Sequence, residues 1–158
     1  MLKEILNKAT CAECRMCCIF DRYDIWETPV FDEETKNRVL EFNPNAKFAK
    51  VGEGYMLNAG ELAEGDLFTC PALTEKGCIL GDGKPFDCCI YPFRVMEKDG
   101  QRVIAVSTLC EAVHGQNHDK LREFLEKGLA EKIFAYADRN PDIVKPYYDN
   151  YTVLQREY

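Results

Sequence analysis

Apolar residues recur along this chain in several registers, and each register predicts a different element. Leu2, Ile5, Leu6 and Ala9 fall at i, i+3, i+4 and i+7, so the first residues predict a short helix that delivers Thr10 and Cys11. Ile19-Phe20 and the alternation of Tyr23 with Ile25 predict an extended segment, with Trp26 packed beside it. Pro29-Val30-Phe31 leads into Asp32-Glu33-Glu34, an acidic first turn that complements a helix dipole. Val39, Leu40 and Phe42 supply the apolar face of that helix, and Asn43-Pro44 ends it. Residues 47–58 predict a hairpin whose reversal uses Gly52 and Gly54. Residues 94–96 and 102–106 flank Lys98-Asp99-Gly100 and predict a second hairpin. Leu121, Phe124, Leu125, Leu129, Ile133, Tyr136 and Ala137 then mark one face of a long amphipathic helix, capped by Asn117 and stopped by Pro141. The tail from Tyr147-Tyr148 to Val153-Leu154 offers a closing strand.

These elements predict an α+β fold: a small metal-bound domain with β-hairpins, Cys-rich loops and a long C-terminal amphipathic helix. The 158 residues suit a single domain, 1–158, long enough to bury a core around a metal site. Charges interrupt the first eight residues, which predicts neither a secretory signal nor a membrane span and hence a cytoplasmic protein. The net charge of −7 and the scattered basic residues offer no phosphate-tracking surface, so nucleic acid is not an expected partner. The glycines near residue 52 are not followed by Gly-Lys-Ser/Thr and make no phosphate loop. Asp32-Glu33-Glu34 reads as a solvated helix start rather than a general-acid pair.

The nine cysteines change the picture most. In a reducing compartment clustered thiols bind metal more often than they pair, and an odd count argues against a complete disulfide framework. Cys11, Cys14, Cys17 and Cys18 lie within eight residues, and C-x2-C steps let successive thiolates reach a common ion. Side chains of the adjacent Cys17 and Cys18 diverge, which implies two metals or different corners of one polynuclear cluster. Cys11, Cys14 and Cys17 with the remote Cys70-Pro71 follow the ligand logic of a bacterial ferredoxin-type [4Fe-4S] cluster. Cys18, Cys78, Cys88, Cys89 and Cys110 remain, enough for a second tetrahedral site. Two four-cysteine zinc sites, or a trinuclear zinc cluster with bridging sulfurs, fit the same thiols, and spacing alone does not decide. His114 and His118 are secondary ligand candidates, and Cys88-Cys89 could instead serve as a vicinal dithiol. Met16, Ile19, Phe20 and Trp26, with Phe68, Tyr91 and Phe93, are expected to shield the metal from water. The glycine- and proline-rich loops of residues 67–110 are expected to draw much of their order from metal bonds.

Several segments in order, C-x2-C-x2-C-C at residues 11–18, Cys70-Pro71-x-Leu73, Gly77-Cys78-x-Leu80 and Pro85-x2-Cys88-x2-Tyr91-Pro92-Phe93, resemble the YkgJ-like CxxCxxCC cysteine-cluster family of zinc- or iron-chelating proteins. The resemblance spans residues 11 to 110. It implies Cys11, Cys14, Cys17, Cys18, Cys70, Cys78, Cys88 and Cys110 as metal ligands. Lys84 and Cys89 both stand where the family usually has arginine, and Arg15 where it often has glycine. Cys89 therefore stays outside the implied set. The family has also been linked loosely to flagellin lysine methylases, but no nucleotide-cofactor loop is recognisable here. The cofactors expected are an iron-sulfur cluster, zinc, or both, and the partners are metal ions and a redox or other protein. No catalytic residue is identifiable. Electron transfer and a redox-inactive, zinc-stabilised interaction module are the competing roles, with a redox or methyl-transfer enzyme using Cys88-Cys89 as a third.

Overall fold

The structure, a computed structural model, describes residues 19–20, 28–58, 68–107 and 116–157. The opening helix, the run from Cys11 to Cys18, Tyr23, Ile25, Trp26, Cys110 and His114 lie outside the described residues. The described residues confirm a mixed α+β architecture. The chain divides into two compact units, one ending at Cys89 and the other beginning at Ile90.

The first unit is built from short pieces. Strand β1 (Ile19–Phe20) is followed by β2 (Val30–Phe31) and helix α1 (Glu33–Phe42). Asp32 caps α1: its Oδ1 accepts the Thr35 N–H at 2.8 Å and the Thr35 hydroxyl at 2.7 Å, satisfying one of the donors a helix start leaves open. Val39 and Thr35, one turn apart, form the buried side of α1. Phe42, expected on the apolar face, is instead 53% exposed, because it lies beyond the turn that Val39 anchors.

Strands β3 (Phe48–Val51) and β4 (Gly54–Leu57) make the first predicted hairpin, with Val51 opposite Gly54 and Gly52 in the left-handed region at φ 58°. Strand β2 pairs on the far side of β4, giving the order β2-β4-β3. That approach needs glycine at position 54, since a Cβ there would lie 2.7 Å from Val30 Cγ1 and 3.2 Å from the Phe31 carbonyl oxygen. Phe31, Val39, Leu57, Cys70, Ala72 and Leu80 form the buried cluster of this unit. The Phe31 and Phe48 rings meet edge to face at 5.3 Å.

Beyond β5 (Phe68–Thr69), a miniature hairpin joins β6 (Leu73–Thr74) to β7 (Gly77–Cys78). A 3-10 turn at Gly81–Gly83 follows, then helix α2 (Phe86–Ile90), which the unit boundary crosses.

In the second unit the elements are longer. Strands β8 (Phe93–Lys98) and β9 (Gln101–Ser107) form the second predicted hairpin. Lys98 faces Gln101 in its register, and Asp99 and Gly100 both take positive φ at 55° and 76°, the backbone a two-residue reversal between twisted strands favours. Strand β10 (Lys145–Pro146) pairs parallel to β8, and β11 (Tyr151–Arg156) pairs antiparallel to β9, so the order is β10-β8-β9-β11. The proline is tolerated because β10 is an edge. The tail thus forms the closing strand that its pattern offers.

The expected long helix is two helices. Helix α3 (His118–Phe124) and helix α4 (Ala130–Arg139) are joined by a π turn at Leu125–Leu129, where Gly128 sits at φ 109°. The apolar stripe nevertheless runs through both, burying Leu121, Leu125, Leu129, Ile133 and Ala137, because the wide turn shifts the phase without reversing the face. Asn117 caps α3 as expected, its Oδ1 accepting the Asp119 N–H at 2.7 Å. Helix α3 is fastened to the sheet by Arg122, whose Nε donates to the Leu154 carbonyl at 3.2 Å. Arg102 on β9 binds Glu157 and Asp138 together. Those two carboxylates, Glu157 foremost, hold its guanidinium well above its ordinary pKa. No described helix is long and apolar enough to cross a membrane.

Candidate metal centre

Four of the nine cysteines, Cys70, Cys78, Cys88 and Cys89, lie among the described residues, all within the first unit. Cys70 is 9% exposed and packs as a core residue beside Phe31, Leu57 and Leu80. It follows β5, and its carbonyl accepts the Leu73 N–H at 3.0 Å, turning the chain into the β6-β7 hairpin. Leu73 is the register partner of Cys78, and the Ile79 N–H reaches back to the Ala72 carbonyl at 2.9 Å. The hairpin therefore returns Cys78 to the cluster that holds Cys70, where it is half-buried. Thr74 reinforces the reversal by donating its hydroxyl to the Gly77 carbonyl at 2.8 Å.

Cys88 and Cys89 occupy the first turns of α2, and both of their amides point to the Pro85 carbonyl, at 2.9 and 3.0 Å. Both are half-buried. The Cys89 thiol donates to the Lys84 carbonyl at 3.5 Å. Burial pushes that thiol above its ordinary pKa, the Lys84 ammonium pulls it back, and Asp82 and the Cys78 thiol push it up again.

One ladder connects these thiols to the chain segment that precedes them. Strand β1 pairs antiparallel with β5, Ile19 opposite Thr69 and Phe20 opposite Phe68. Ile19 directly follows Cys18 in the sequence and Thr69 directly precedes Cys70. The residues bonded to two of the expected ligands are therefore register partners.

Among the described residues, no group of three or more His, Cys, Asp or Glu side chains converges as metal ligands would. Of the eight expected ligands, Cys70, Cys78 and Cys88 are placed in one unit, while Cys11, Cys14, Cys17, Cys18 and Cys110 lie outside the described residues. Soft sulfur donors partly withdrawn from water, as these are, would suit a thiophilic metal. His118 is exposed at the start of α3 in the second unit. Tyr91 and Phe93, expected as shielding, are buried in the second unit. A groove of about 310 Å³ beside Thr69 and Pro71 is lined by neither cysteine nor histidine.

Two features of this region are not visible in the cysteine pattern. Asp87, one residue before Cys88, is 1% exposed, and its Oδ2 accepts the Val30 N–H at 2.9 Å from 57 residues away. Arg38 of α1 lies over Gly83, so closely that a Cβ at that position would meet its guanidinium. An aspartate two residues after a proline signals a helix start, but nothing local announces its distant partner.

No family model, curated protein or solved structure matches this chain.

Proposed function

We propose that this protein chelates metal through a shared cysteine cluster, holding zinc, an iron-sulfur centre, or both. Its ligands on this reading are Cys11, Cys14, Cys17, Cys18, Cys70, Cys78, Cys88 and Cys110. The observation that carries the reading is the β1-β5 ladder, which sets the residue after Cys18 against the residue before Cys70. Nine cysteines clustered in short spacings favour ligation over pairing in the reducing setting of the cytoplasm. Bound zinc would supply structural cross-linking, and bound iron-sulfur would supply one-electron transfer to a redox partner protein. Cys70 and Cys78 would hold the metal from the apolar cluster and Cys88 from the start of α2.

Metal analysis with a visible spectrum on anaerobically purified protein tests this. Brown protein that bleaches with reductant supports iron-sulfur. Colourless protein with stoichiometric zinc supports a zinc-stabilised interaction module. Protein that carries neither metal and takes up neither on reconstitution overturns the proposal.

A further inference from the structure

We propose that Asp87 is a positioning residue for the cysteine cluster, an inference that rests on the metal-binding reading. Its carboxylate is withdrawn from water, yet it belongs to the same turn as Cys88 and Cys89. Through the Val30 N–H it grips the first residue of β2. The next residue, Phe31, packs in the cluster that contains Cys70. A single side chain therefore fastens the backbone that carries Cys88 to the sheet that backs Cys70.

The Pro85 carbonyl is engaged by the Cys88 and Cys89 amides, which closes this turn on itself. The Asp87–Val30 bond ties that turn to the first residue of β2. Outer partners of this kind orient ligands, and their loss typically weakens metal binding about 10–100-fold.

The test is zinc affinity, by competition with a chromophoric chelator, in wild-type, Asp87→Ala and Val30→Pro. Val30→Pro deletes the same hydrogen bond from the donor side. Val39→Ala is the control, because Val39 is fully buried in the Cys70 cluster and its truncation loosens the core without touching the bond. Asp87→Ala and Val30→Pro are expected to bind zinc about 10–100-fold more weakly than Val39→Ala of comparable melting temperature. If Asp87→Ala does not fold, Val30→Pro carries the same comparison. Variants that lose zinc no more readily than Val39→Ala overturn the positioning role and leave the metal reading intact. Wild-type protein that binds neither zinc nor iron overturns both.

Discussion

The two units reach order by different means. The second has strands of six and seven residues and a helical stripe of Leu121, Leu125, Leu129 and Ile133 laid against them. Val95, Met96, Val103 and Ile104 are buried in succession in its central strands. The first has strands of two to four residues and a described cluster of six buried side chains, one of them a cysteine. A ladder of two residues fixes several backbone torsions for few hydrogen bonds, so it persists only where something else holds its ends. In the second unit apolar area does this. In the first, on the reading proposed above, metal bonds do.

Removing metal is the strongest way to break this comparison. With a chelator under reducing conditions, amides of residues 68–89 are expected to lose hydrogen-exchange protection, while those of β8, β9 and α4 keep theirs. Equal loss in both units would show that the second is not self-sufficient. The next largest effect is expected from Ile104→Ala, which opens a cavity in the sheet core and should cost about 2–5 kcal/mol in denaturant unfolding. Metal content per folded chain should not change. A smaller effect, about 1–3 kcal/mol, is expected from Gly54→Ala, because the added methyl collides with Val30 and with the Phe31 carbonyl. Calorimetry of the metal-loaded protein would place that loss in the first unit, and an unaltered melting temperature would show that β2 can retreat without cost.

Much of the second unit was legible because its signals are local. Asp99-Gly100 announces a two-residue reversal, and the spacing of Leu121, Leu125 and Ile133 announces a buried helical face. The break at Gly128 was not legible, since an isolated glycine inside a helical pattern is ordinarily tolerated, and only its φ of 109° distinguishes this one. In the first unit, Asp32 and the glycines of residues 52 and 54 marked α1 and its hairpin. Spacing marks Cys70 only as a ligand, whereas its burial beside Phe31 and Leu57 makes it a core residue as well. The Asp87–Val30 bond spans 57 residues, and periodicity carries no information about pairing at that distance. The β6-β7 hairpin was hidden for another reason: two-residue strands are too short to alternate.

The pairing of β11 with β9 sets a clock on biosynthesis. Ser107, at the end of β9, is opposite Tyr151, and Val103 is opposite Arg156. At about 5–20 residues per second, a ribosome needs several seconds to travel from one strand to the other. Throughout that interval one side of β9 is an open template for any other extended chain, while the cysteine-bearing residues up to Cys89 have already been made. The nascent protein therefore has its thiols in hand before its largest sheet can close.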